Sequence, residues 1–481
     1  VILGAQLAIG HPRCVIYSIV HISRYLILVL AGCASRASFE VPPPPEPVKA
    51  EAPRPPPDPA KGPLTAAQAV EVALARNPDL REAAASVEMG LASLDAAHAA
   101  LRPVLGGDLS YLGGDAPSAY LAKTIDARDL PAGVNFNDPG TFSNWEVGAT
   151  LRWNIWRGGR DRLGVWASES GLAAAAAELD AVRNGLVAGV LAAVLDVRAA
   201  RELNAADEAS IRSVTAQLDE TRVRVDSGQS LRSDLLSLEV RLAEAKERRI
   251  RTDVARRLAT VALRRLLAWP DGMPLDVADE SYPVEQLPAT VPEALAVAYT
   301  HRGEVAAARR AVERARIEVE SARRAYAPSL DLEARWYGDD EQWNFAEDGG
   351  NWIVGLALSF DFYDGGRKRA GVRAAQAVLE HVEESDRRAL LAVAQDVEIA
   401  YLRMEEARAR LEVAAQAVGA SEESLDLVEK QYRGGTATVT RYLEAEAART
   451  QSRTARIRAA LDVERSQVDA ARALGRAEVD R

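Results

Sequence analysis

Two stretches decide how this chain folds: WEVGATLRWNIWRGGR at residues 145–160 and WIVGLALSFDFYDGGR at residues 352–367. Side chains alternate sides along an extended backbone. In the first stretch Trp145, Val147, Ala149, Leu151, Trp153 and Ile155 therefore share one face. Glu146, Gly148, Thr150, Arg152 and Asn154 share the other. The second stretch keeps the parity, with Trp352, Val354, Leu356, Leu358, Phe360 and Phe362 on one side. About 11 residues of such alternation, with aromatics near the ends, is the pattern of a strand in a membrane β-barrel. Indole rings favour the membrane interface, so Trp145, Trp153 and Trp352 are expected to face lipid along with Leu151, Leu358 and Phe360. A soluble half-buried strand would alternate too, but would not need tryptophans at its ends.

Working outward, everything around these strands also occurs twice. AVEVALARNPDL at 69–80 returns 225 residues later as ALAVAYTHRGEV at 294–305, and Pro103 maps onto Pro328. From the second strand to Leu267 and Leu474 the shift is 207, which leaves one loop, residues 112–144, 18 residues longer than its partner. Each copy reads as a helix, a strand, a loop, a strand and a very long helix. Thr65 is a candidate N-cap for a first helix running to about Leu101, stopped by Pro103. Residues 112–144, rich in Gly, Pro, Asn and Asp, read as an exposed loop. After each Gly-Gly a stretch of roughly 65 residues free of proline predicts a helix of about 100 Å. Gly228 and Gly434-Gly435 mark turns into shorter return helices.

At 481 residues, length alone suggests several domains, but each copy is too elongated to fold separately. The expected order is a signal peptide at 1–32, a lipidated proline-rich tether at 33–63 and a first structural repeat at 64–269. An inter-repeat linker at 270–291, a second repeat at 292–475 and a tail at 476–481 follow. The run RYLILVLAGC at residues 24–33 joins a basic residue, a short apolar core and small residues before Cys33. That is a lipoprotein signal, with Cys33 as the acylated residue. The net charge of -11 argues against a nucleic-acid partner, and only six of 59 basic residues are lysine. The five histidines show no metal-ligand spacing, and no phosphate-binding loop or nucleophile motif is present. The chain is not expected to be an enzyme or to hold a cofactor or metal. The rival reading is a structural coiled-coil envelope lipoprotein, which explains the helices but not the strands.

Two strands per copy give four transmembrane strands per chain. Four strands cannot close a barrel, and an open edge in hydrocarbon leaves backbone groups unpaired. Several chains must share one barrel.

With these features together, the chain resembles the TolC family of bacterial outer membrane efflux proteins. The resemblance rests on Leu64-Thr65 leading to ALARNP at 73–78, on the strand–Gly-Gly–helix junctions at 158–160 and 365–367, and on two tip segments. These are VDSGQSLRSDLL at 225–236 and YRGGTATVTRYL at 432–443. It covers residues 64–475 and implies a tandem-duplicated fold of mixed α and membrane β structure. It further implies a homotrimer sharing a 12-stranded barrel in the outer membrane, continued by a periplasmic α-helical barrel. A periplasmic adaptor and an inner-membrane pump are the implied partners, and an exit duct for efflux or secretion the implied role. The gate and adaptor contact are implied at the tip, near Gly228, Arg232, Asp234, Gly435, Arg441 and Glu444. Ala437 stands where some members carry a gate arginine, and Arg441 where aspartate is common.

Overall fold

Proline removes a backbone donor and bends what precedes it, so the proline-free stretches set the long axis of the protein. The structure is a computed structural model that describes residues 62–270, 273–280, 286–341 and 350–477. The expected signal, Cys33 and nearly all of the tether lie outside these residues. In chain order the elements are α1 (Ala66–Arg76), α2 (Pro78–Ala99), β1 (Val104–Gly114), α3 (Pro117–Asp126) and β2 (Phe142–Trp156). Then come α4 (Arg160–Asp226), α5 (Arg232–Leu266), α6 (Val291–His301) and α7 (Gly303–Arg324). The chain ends with β3 (Ser329–Asp340), β4 (Gly350–Ser359), α8 (Arg367–Arg433) and α9 (Val439–Leu474). The helices α4 and α8 have 67 residues each.

The first helix differs from the single helix expected up to Leu101. Asn77 ends α1 and caps α2, with its side-chain oxygen accepting from the Asp79 N–H at 2.8 Å. Pro78 pushes the residue before it out of the helical region, and proline at the first helical position is a start signal rather than a stop. The second copy breaks at the same place. Arg302 separates α6 from α7. Both break residues serve the return helices. The Asn77 amide donates to the Leu266 carbonyl at 3.0 Å, and the Arg302 guanidinium donates to the Arg472 and Ala473 carbonyls, each at 3.4 Å. These are the carbonyls that a helix end leaves without partners. The duplication thus survives in function where the residue types have diverged.

Packing follows the same doubling. One core gathers Ala69, Val70, Val72 and Ala73 of α1 against the Leu186–Val197 part of α4, with Leu263 and Leu267 closing it. Its counterpart sets Ala294, Ala298 and Val305 against Val393, Val397, Ala400 and Met404 of α8. The small alanines let helix axes approach closely. The inter-repeat linker is fixed to this region, because Leu64 and Val277 form a parallel bridge. Arg198 of α4 is buried between Glu464 of α9 at 2.8 Å and Asp279 of the linker at 3.3 Å.

The four strands form one antiparallel sheet in the order β1-β2-β3-β4, so β1 and β4 are its edges. Pairings Tyr111 with Trp145, Ala149 with Trp336 and Trp336 with Trp352 put one aromatic residue from each strand on one face, while Phe142 and Tyr337 lie on the other. The strand β4 ends at Ser359, so Phe360 and Phe362 lie beyond it rather than within a strand as expected. The last β3–β4 pair is Ser329 with Ser359. Pro328 precedes it and has no N–H with which to extend the ladder.

The loop between β1 and β2 is also more ordered than expected. Within residues 112–144, β1 runs to Gly114, β2 begins at Phe142, and α3 lies between them. Its Tyr120 ring packs against Phe136 and Phe142 at centroid distances of 6.3 and 5.7 Å.

Candidate functional site

Two helix–turn–helix ends form the tip farthest from the sheet. The long helices stop where Gly228 and Gly435 take φ values of +78° and +75°. A residue with a side chain pays about 1–2 kcal/mol for that left-handed conformation. Space is not the constraint, since an added Cβ would meet nothing within 4 Å at either position.

The charged residues expected at the tip sit just past these turns. Asp234 folds back to accept the Leu231 N–H at 3.3 Å and so stabilises the start of α5. Arg232 beside it is exposed. Thr438 caps α9 by accepting the Arg441 N–H at 3.3 Å. The Arg441 and Glu444 side chains pair with each other at 3.5 Å, one helical turn apart, and both are well exposed. An exposed pair of this spacing contributes only about 0.2–0.5 kcal/mol.

What holds the two turns together is a cluster that reading the sequence missed. Tyr432 at the end of α8 stacks on Tyr442 of α9, with ring centroids 5.5 Å apart and planes at 25°. Arg224 of α4 lies 5.5 Å from the centre of the Tyr432 ring, and the Thr221 hydroxyl is 3.5 Å from the Tyr432 hydroxyl. Leu218, Leu238, Leu425, Val428 and Val439 complete the apolar part. Burial, aided by the nearby Glu429 and Glu446 carboxylates, pushes the Tyr442 phenol above the usual tyrosine range.

One turn further along α9, Glu446 is fully buried. Its carboxylate accepts from Thr450 at 2.9 Å, Ser210 of α4 at 3.3 Å and Arg241 of α5 at 3.4 Å, with Arg449 at 3.7 Å. A single acid thereby ties α9 to both helices of the first copy. Its signal in the sequence was the spacing Tyr442, Ala445, Glu446, which puts an acid on the buried stripe.

At the other end, the sheet has two unlike faces. Trp153, Trp336, Trp352, Val354, Leu356 and Leu358 are exposed on the apolar face. Trp145, which packs on Tyr111 at a centroid distance of 4.8 Å, and Leu151 of the same face are half-buried. The opposite face is polar and internally paired. Arg335 donates to Asp108 at 2.9 Å and also pairs with Glu146. Lys123 of α3 pairs with Glu146 and, at 2.9 Å, with Asp339, which also accepts from Asn144 at 2.6 Å. No helix among the described residues is long and apolar enough to cross a membrane.

Four strands with one apolar face, joined to paired 67-residue helices, leave few architectures to compare. The sequence model of the outer membrane efflux protein family matches residues 69–268 and 295–476, one match for each copy. The chain belongs to the outer membrane efflux protein family. Its place is therefore the outer membrane, and its work is efflux. BepC, an outer membrane efflux protein of Brucella suis biovar 1 (strain 1330), is 25% identical over 344 residues, 69% of this chain and 72% of BepC. A membrane protein from Pseudomonas aeruginosa matches in structure with a TM-score of 0.75 at 22% identity, covering 85% of this chain and 93% of that one. The CmeC outer membrane channel of Campylobacter jejuni matches with a TM-score of 0.74 at 16% identity, covering 86% of each chain. At these identities the structural likeness speaks for the fold.

Proposed function

We propose that three copies of this chain close one 12-stranded barrel in the outer membrane, and that their helices form a periplasmic tunnel. The assembly would be the exit duct of a tripartite system, taking substrate from a periplasmic adaptor and an inner-membrane pump. The observation that carries this is the open sheet. The edge strands β1 and β4 span 11 and 10 residues, and an apolar face lies beside them. Unpaired edge groups in lipid cost several kcal/mol each. Because each chain brings an even number of strands, β4 of one copy meets β1 of the next antiparallel, and the ring closes without a parallel seam. On this reading Trp145, Leu151, Trp153, Trp352, Leu358 and Phe360 face lipid. A structural envelope lipoprotein would leave the sheet without a purpose. A heat-sensitive trimer band on denaturing gels, collapsing to monomer on boiling, is the expected result for membranes carrying the protein. A monomer band before heating would remove the proposal.

The tip is the proposed gate and adaptor contact. Replacing Gly435 by valine puts a β-branched residue at φ +75°, which distorts the α8–α9 turn without a steric clash elsewhere. Trimers are expected to persist in the membrane while export falls to background, measured as loss of drug tolerance in a pump-dependent strain. Full export by this variant would move adaptor docking away from the turn.

Acylation of Cys33 completes the proposal. Mass spectrometry of the mature N-terminus should find a lipid-modified cysteine. Because the barrel is itself an anchor, Cys33→Ser should leave some protein in the outer membrane. A processed N-terminus without lipid would exclude the anchor.

A further inference from the structure

The polar face of the sheet is covered by a helix from the chain's own longer loop. The contacts step across the strands in order. Lys123 reaches Glu146 of β2 and Asp339 of β3. Asp126 then accepts from the Tyr337 hydroxyl of β3 at 3.2 Å, and its carbonyl accepts from the Asn351 amide of β4 at 2.8 Å. Arg128, just past the helix, donates to the Gly350 carbonyl at 3.2 Å. All these strand residues lie near the sheet end distal to the long helices. The Asp339 carboxylate has no exposure left, so α3 is seated on this face rather than resting near it. The face of α3 turned away from the sheet carries Ser118, Ala122 and Ile125, all exposed, at i, i+4 and i+7. It is uncharged, and none of the described residues covers it.

We propose that α3 is an internal lid, and that the occupant of its bare face is α3 of the neighbouring copies. The inference rests on the trimeric reading above. Twelve strands about 4.8 Å apart, tilted by about 40°, close at a backbone diameter of about 24 Å. A helix with its side chains is about 10–12 Å thick. The wall's own side chains narrow that width further, so a helix seated on the wall reaches the axis and there meets its counterparts at the outer mouth. Small side chains at Ser118 and Ala122 permit that approach. The second copy's loop is 18 residues shorter by the repeat alignment and has no room for a second such helix between its strands. The lid is held by ion pairs, hydrogen bonds and the packing of Tyr120 on Phe142 rather than by an extended apolar core, so it can lift without unfolding the sheet.

Two measurements on membranes containing the full chain test this. With Ala122→Cys, mild oxidation should give a covalent dimer on non-reducing gels that is absent from the unsubstituted chain. With Ala357→Cys, on the polar face below the lid, a bulky polymer maleimide added outside intact cells should label slowly. Replacing residues 116–141 with a short Gly-Ser link should raise that rate about tenfold, since three helices about 10 Å thick are then gone. A small maleimide should label both forms alike. If trimers are present but Ala122→Cys does not cross-link, or the bulky reagent labels both forms equally, the lid is wrong and the exit duct stands. If the unsubstituted chain forms no heat-sensitive trimer, the trimeric reading falls and the lid falls with it.

Discussion

Arginine at Leu151 is expected to keep the protein out of the outer membrane. Leu151 lies near the middle of the 15-residue strand β2, on the apolar face, paired with Leu105 on one side and Ala334 on the other. If that face meets lipid, a guanidinium there costs about 2–4 kcal/mol near the bilayer midplane. Symmetry repeats the cost in every copy, and the side chain is too far from either interface to reach water easily. Leu358→Arg on β4 should behave alike. The comparison that isolates the face is an arginine on the polar side. Thr150 is poorly suited, because it is 8% exposed and pairs with Arg335, where a second cation would be repelled. Ser110 is better. It is exposed and pairs with Glu146. Ser110→Arg should give near-normal amounts of heat-sensitive trimer, while Leu151→Arg should give little. Equal yields from the two variants would mean that the apolar face does not meet lipid.

The strands and long helices were legible because each has its own period and is written twice. The alternation of residues 145–155 leaves no choice of which side is apolar. The absence of proline through α4 and α8, with Gly-Gly before each, sets their starts. What was hidden depended on contacts between distant residues. A ten-residue helix such as α3 is marginal alone, and its loop is rich in breakers. It is ordered by Lys123 and Asp126 meeting β2, β3 and β4, and no local window contains those partners. The break at Asn77 was local but misread, since Pro78 suits a helix start as well as a stop. At the tip, Arg441 and Glu444 are charges near a turn, yet among the described residues their side chains pair with each other. Glu446, two residues on, is the acid that bridges helices. Composition treats the two glutamates alike, and only the burial stripe through Tyr442 and Ala445 separates them.

Removing the Glu446 carboxylate should therefore have a larger effect than removing any exposed charge at the tip. The side chain of Glu446 is 1% exposed, while those of Arg241 and Arg449 are 16% and 21% exposed. Glu446→Ala removes the acid beside Arg449, leaves Arg241 its pair with Glu244 alone, and leaves the Ser210 and Thr450 hydroxyls without this acceptor. Breaking a buried ion pair from one side costs about 3–5 kcal/mol, and the lower end applies here because the arginines can turn towards water. The loss falls on a buried polar contact that joins α9 to both α4 and α5, beside the apolar cluster of the tip, so the tip rather than the sheet should loosen. Trimer yield should stay near normal, since the strands and the upper cores are untouched. Proteolysis should cut faster near the turns at Gly228 and Gly435, and single-channel conductance in planar bilayers should rise. Glu446→Gln keeps an acceptor for Ser210 and Thr450, and should fall between the two. Arg441→Ala with Glu444→Ala serves as the exposed control and should protect the tip almost as well as the unsubstituted chain. If the double alanine variant is cut faster than Glu446→Ala, the exposed pair rather than the buried acid holds the tip closed.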